Sequence, residues 1–227
     1  MITIPHEMKA KKLCLLFCLL ALLALSWAAR AELFRLQAAI AACVARYGVA
    51  AGPQVQYWHD VLTTFQSSPE TTKLRDVNEF FNRRLRWDTD QNIWRMNDYW
   101  ATPVESLLRA MGDCEDFAIA KYYSLKYLGV STQKLRITYV KAQLGGAGSA
   151  LSQAHMVLAY YESPTAEPLI LDNLVGEMRP ASRRPDLTPI FSFNSEGVWT
   201  AGGVQQGGGI TLWNDLRAKI SAEGFEP

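Results

Sequence analysis

Gly112-Asp113-Cys114-Glu115-Asp116-Phe117-Ala118-Ile119-Ala120-Lys121-Tyr122 is the stretch on which the reading of this chain turns. Asp113 is an N-cap residue type set directly before a run with helical spacing. Phe117, Ala118, Tyr122, Leu125 and Leu128 predict one buried face for a helix over 114–128, and Gly129 supplies its C′ residue. That helix starts on a cysteine. A cysteine reacts as its thiolate, and a helix N-terminus favours an anion.

Upstream the texture is helical. Spacing of apolar residues predicts helices over 32–47, 54–66 and 71–85. The stretch 87–99 is polar and aromatic without a clean period, and reads as an ordered loop edging a cleft. Thr102-Pro103-Val104-Glu105 then opens a short helix, with Pro in the first turn and a capping-box glutamate. Downstream of Gly129 the texture changes. Leu135–Lys141, His155–Tyr161, Leu169–Asp172, Ile190–Phe193 and Val198–Thr200 read as strands. Gly145-Gly146-Ala147-Gly148-Ser149 links the first two as a lip, Gly207-Gly208-Gly209 is a turn, and 213–221 is a last helix. Helices followed by strands predict an α+β fold, a helical N-terminal part packed on an antiparallel sheet.

The first residues read as an address. Lys9, Lys11 and Lys12 precede an apolar run from Leu13 to Trp27, and Ala29-Arg30-Ala31 offers a cleavage site. Residues 1–31 are thus expected to be a signal peptide and 32–227 a single exported domain. The run is short for a membrane span, so an uncleaved anchor is the lesser alternative. The remaining chain, about 195 residues, is long enough for one core. A net charge of +1 with mixed signs gives no nucleic-acid stripe.

Past the leader only Cys43, Cys114, His59 and His155 remain of their types. Cys43 fits a buried apolar site on the first helix, whereas Cys114 stands among carboxylates. His155 and Asp172 lie on either side of the connection Glu162–Glu167, at roughly similar distances from it. In an antiparallel pair such residues fall opposite each other, so the two side chains are expected to touch. With the sheet packed on the central helix, Cys114 as nucleophile, His155 as base and Asp172 as orienter would form a catalytic triad.

Asp113, Glu115 and Asp116 oppose ionisation of that thiol. One carboxylate at about 6 Å, at an effective dielectric near 20, costs roughly 3 kcal/mol, more than the ~1 kcal/mol a helix end returns. Three hard oxygen donors within four residues suit Ca²⁺. Acids are also favoured at any helix start, so spacing alone leaves both a cation site and a solvated turn open. No Cys/His cluster supports zinc.

Residues 112–122, together with Trp100-Ala101-Thr102-Pro103, Ala154-His155-Met156-Val157-Leu158 and Leu171-Asp172-Asn173, resemble the bacterial transglutaminase-like cysteine proteinases over roughly 50–200. The resemblance implies a papain/transglutaminase-like α+β fold, the Cys114–His155–Asp172 triad, and a calcium site beside the thiol, with Asp113, Glu115 and Asp116 as its ligands. It also implies a periplasmic endopeptidase that cuts the N-terminal region of a large surface adhesin and so releases biofilm. The partner implied is the periplasmic domain of an inner-membrane cyclic di-GMP receptor. Acyl transfer by a transglutaminase or amidase uses the same triad, and a binding module that kept the fold is the other alternative. Trp94, Trp100 and the Gly145–Gly148 loop are expected to line the cleft.

Overall fold

The computed structural model describes residues 34–200, 205–206 and 210–227. The expected signal peptide and the Gly207–Gly209 turn lie outside the described residues. Helix α1 runs over 34–47, followed by α2 (Ala51–Phe65) and α3 (Glu70–Arg84). Val55, Trp58 and Leu62 of α2 and Leu74, Val77 and Phe81 of α3 are buried at helical spacing, as the sequence predicts. The stretch expected to be a loop contains strand β1 (Arg86–Trp87) and a single-turn helix, α4 (Asp90–Ile93). Helix α5 (Pro103–Arg109) starts with the predicted capping box. Glu105 N–H donates to Thr102 Oγ1 at 3.2 Å, and Thr102 N–H to Glu105 Oε2 at 2.9 Å.

Strand β2 (Met111–Gly112) pairs in parallel with β1, Arg86 beside Met111 and Trp87 beside Gly112. Two-residue strands have too little pattern to be legible in a sequence. Their consequence is large: the pairing carries residues 88–99 up to the start of α6 (Cys114–Tyr127). The Asp88 N–H donates to Gly112 O at 3.2 Å.

Helix α6 differs from the expected one-sided helix. Residues 116–125 are buried all round, because α3 and α5 pack on one side and strands β4 and β3 on the other. The sheet is antiparallel with strands in the order β6-β5-β4-β3-β7-β8-β9. Its members are β3 (Leu135–Gln143), β4 (Ser152–Tyr160), β5 (Leu169–Leu171), β6 (Arg179–Pro180), β7 (Leu187–Phe193), β8 (Val198–Thr200) and β9 (Gln205–Gln206). Helix α7 (Thr211–Ala222) buries Trp213, Leu216 and Ile220 in the same core as α6 and the sheet. The α+β architecture is therefore the one expected from the sequence. No helix among the described residues is long and apolar enough to cross a membrane.

Candidate active site

The backbone entering α6 is shaped by contact. A Cβ at Gly112 would lie 2.7 Å from Asp116 Cβ, so only glycine lets the Asp116 side chain fold back beneath the turn. There Asp116 is fully buried. Its Oδ1 accepts the Ala101 N–H at 2.8 Å and its Oδ2 the Asp113 N–H at 3.4 Å. It ties the segment before α5 to the cap of α6. Asp113 is the cap residue, as read from the sequence.

Cys114 is half-buried and unpaired, and Cys43 is a fully buried free thiol in the core. Cys114 Sγ–H donates to Glu115 Oε2 at 3.0 Å rather than to the His155 ring. Burial pushes the thiol well above its ordinary value, and Glu115 and Asp113 push it further. The backbone N–H of Met156, the residue after His155, pulls the other way. The sulfur thus lies against strand β4 at the position adjoining the imidazole.

His155 is the fourth residue of β4 rather than its first. The β4–β5 register also departs from expectation. Leu158 faces Leu171 and Ala159 faces Ile170, which sets Val157, not His155, level with Asp172. A slip of two residues keeps every side chain on its face. His155 Nε2 consequently still meets Asp172 Oδ1, diagonally, at 2.7 Å, with both residues at most 2 % exposed. Burial alone would raise Asp172. The His155 hydrogen bond and charge, the Leu174 N–H and the Arg184 guanidinium outweigh it and hold the carboxyl at about 2. An ionised carboxylate only accepts, so Nε2 carries a hydrogen; in a neutral ring the lone pair is then on Nδ1, the tautomer a base needs. Two asparagines of α3 fix the turn that carries Asp172. Asn82 donates to Asp172 O at 2.7 Å and Asn78 to Gly176 O at 2.8 Å.

Carboxylate oxygens of Asp90, Asp113 and Glu115 lie within 4.8 Å of one another. Of the three acids expected to gather, Asp113 and Glu115 do so. Asp116 does not, because both its oxygens are engaged by backbone amides below the turn. Asp90 takes its place, delivered by the β1–β2 pair. Asp90 Oδ2 accepts the Tyr99 N–H at 2.6 Å, while Asp90 Oδ1 and Asp113 Oδ1 are buried without a hydrogen-bond partner. Burial first and neighbouring carboxylates second raise Asp90 to about 6 and Asp113 to about 10. A donor set of hard oxygens, two of them orphaned, fits a divalent cation such as Ca²⁺. Asp90 sits in an unbroken run of oxygen-bearing side chains, Asp88-Thr89-Asp90-Gln91-Asn92, the one sign in the sequence that this stretch could offer ligands.

Trp100 does not line a cleft. It is 6 % exposed and stacks on Phe193 at 5.4 Å within the core. Trp94 is partly exposed, against Tyr99 and the Arg109 guanidinium.

The model of the bacterial transglutaminase-like cysteine proteinase family matches residues 54–186. Among solved structures, calcium-bound LapG of Legionella pneumophila is similar at 37 % identity and a TM-score of 0.68, over 80 % of this chain and 97 % of that one. A second LapG structure from that organism is 40 % identical, TM-score 0.64, over 75 % and 89 %. An EGTA-treated form is 39 % identical, TM-score 0.65, over the same shares. No match was found among curated proteins. With a family model spanning more than half its length and relatives well above 30 % identity, this chain belongs to the bacterial transglutaminase-like cysteine proteinases.

Proposed function

We propose that the protein is a calcium-dependent periplasmic cysteine endopeptidase with Cys114 as nucleophile, His155 as general base and Asp172 as its orienter. The observation that carries this is the buried 2.7 Å bond from His155 to an ionised Asp172, set beside a cysteine at the first turn of α6. Asp172 fixes the ring with Nδ1 as the working nitrogen and stabilises the imidazolium once formed. In the reaction the Cys114 proton passes to His155, and Sγ attacks a backbone carbonyl. His155 then returns the proton to the leaving amine, and water releases the acyl group from the thioester. The Cys114 N–H at the helix start is positioned to receive the developing oxyanion.

Asp90, Asp113 and Glu115 are the residues that would hold calcium, and the calcium-bound and EGTA-treated LapG structures of Legionella pneumophila support that metal. Bound Ca²⁺ would supply the positive charge that three adjoining carboxylates lack. Glu115 has two roles open to it: as a free carboxylate it holds the thiol hydrogen, and as a ligand it releases that hydrogen towards His155.

The substrate proposed is the N-terminal region of a large surface adhesin, whose cleavage releases biofilm. The partner proposed is the periplasmic domain of an inner-membrane cyclic di-GMP receptor. Both rest on the family resemblance. The test is calcium-dependent cleavage of an adhesin N-terminal fragment. Wild type should cut, and Cys114→Ala or an EGTA-treated sample should not. Cleavage by Cys114→Ala would remove the thiol mechanism, and cross-linking of a Gln-peptide to an amine without hydrolysis would replace the protease with a transglutaminase.

A further inference from the structure

Asp172 is gripped from more than one side. Its Oδ1 accepts the His155 Nε2–H at 2.7 Å and the Leu174 N–H at 3.0 Å. Its Oδ2 accepts Arg184 Nη2 at 2.8 Å. Arg184 lies just after a short 3₁₀ turn, Ala181–Arg183, and is 3 % exposed. The same Nη2 donates to Asp186 Oδ2 at 2.8 Å, and its Nε to Asp186 Oδ1 at 3.0 Å. The charged groups facing Asp172 are therefore His155 from β4, Lys121 from α6 and Arg184, with Asp186 behind the guanidinium.

We propose that Arg184 is a positioning residue of the active site: anchored by Asp186, it holds the Asp172 carboxylate turned so that Oδ1 meets His155 Nε2. This rests on reading Cys114, His155 and Asp172 as catalytic. The torsion that turns an aspartate carboxylate is broad and roughly two-fold, so one hydrogen bond to a ring leaves it poorly fixed. A planar guanidinium, itself clamped by a second carboxylate, removes that freedom and leaves no oxygen of Asp172 without a charged or N–H partner. The alternative role, closing the loop between β5 and β7, would make Arg184 matter for folding alone. Buried ion pairs are weak stabilisers against apolar replacements, so a purely structural role is a poor reason to bury one here.

The experiment compares wild type, Arg184→Gln, Arg184→Lys and Cys114→Ala as full exported chains with Ca²⁺ and an adhesin N-terminal fragment. Arg184→Gln should lose kcat on the order of 100-fold with KM little changed, since a misplaced imidazole costs turnover rather than binding. Arg184→Lys keeps a charge at Asp172 without the fork and should recover about a tenth or more of wild-type kcat. A second readout needs no substrate. The downfield Nε2–H proton of His155 should be seen by NMR in wild type and Arg184→Lys, and be lost in Arg184→Gln. If Arg184→Gln fails to fold, Asp186→Asn frees the guanidinium from its anchor and should show the same losses in milder form. Wild-type kcat and an unchanged His155 resonance in Arg184→Gln, or in a folded Asp186→Asn, would overturn the proposal. Cleavage by Cys114→Ala would instead sink the catalytic reading, and the resonance would still judge Arg184.

Discussion

At the first turn of α6 three carboxylates bring oxygens within 4.8 Å of one another, and Asp90 Oδ1 and Asp113 Oδ1 have no hydrogen-bond partner. Just past the end of β5, a single carboxylate is buried more deeply, yet each of its oxygens meets a donor, and one of them the Arg184 guanidinium. The chemistry of burial is common to both regions, and the outcomes have opposite sign. Asp90 and Asp113 are driven up to about 6 and about 10, whereas Asp172 is held at about 2. The sheet end is a finished site that the chain completes with its own residues. The helix end is an unbalanced one whose missing term is a cation from outside. On the proposed reading of Cys114 as nucleophile and His155 as base, tying one to the unbalanced region and the other to the finished one would make turnover depend on a ligand without altering the base.

The largest effect should come from unbalancing the finished region. Asp172→Asn presents an amide where a charge stood and favours the wrong imidazole tautomer; a loss on the order of 10⁴-fold in kcat is expected. Arg184 keeps Asp186 as a partner, so the variant should still fold. Near-normal turnover would show that the carboxylate is not part of the machinery.

Next in size is the balance at the helix end. Calcium at 100 times its dissociation constant should stabilise the chain by about 2.7 kcal/mol, read as a raised Tm. Asp90→Asn should erase that increment, and in calcium-free buffer it should leave stability equal or higher, since one crowding charge is gone. Asp116→Asn should do the reverse. It disturbs two backbone amides and lowers stability by about 1–3 kcal/mol, while the calcium increment survives. Calcium stabilisation lost in Asp116→Asn but kept in Asp90→Asn would restore the ligand set read from the sequence.

That exchange of Asp90 for Asp116 marks where a sequence stops being legible. Local rules carried the long elements. The Thr102–Glu105 box, the Asp113 cap and the period of α2 and α3 are written in neighbouring residues, and the structure follows them. The His155–Asp172 contact was legible through symmetry about a hairpin, and it survived a register error because an error of two preserves the face. What stayed hidden depends on partners distant in the chain. The β1–β2 pair is two residues long and joins 86–87 to 111–112, so nothing local announces that Asp90 will reach Asp113. Trp100 looked like a cleft residue for its aromatic neighbours, and Phe193 takes it into the core instead. Arg184 is one arginine among a basic cluster, and only the return of the chain from β6 to β7 shows which carboxylate it meets.

Acid titration of stability gives the smallest effect and the sharpest contrast, because the two regions should bend the curve in opposite directions. Asp172 is depressed from 3.8 to about 2 in the folded chain. Its contribution, about 2 kcal/mol at 1.36 kcal/mol per pH unit, is complete above the unfolded value and is lost as pH falls through about 2. Asp90 and Asp113 are raised, so without calcium their penalty is present at high pH and is relieved as pH falls through about 10 and about 6. Calcium-free protein should therefore gain stability on mild acidification and lose it below about pH 4, the loss being absent from Asp172→Asn. Denaturant unfolding across that range reads both limbs. A curve that falls steadily from alkaline to acid pH would mean that the helix-end carboxylates carry no such penalty, and the contrast between the regions would fail.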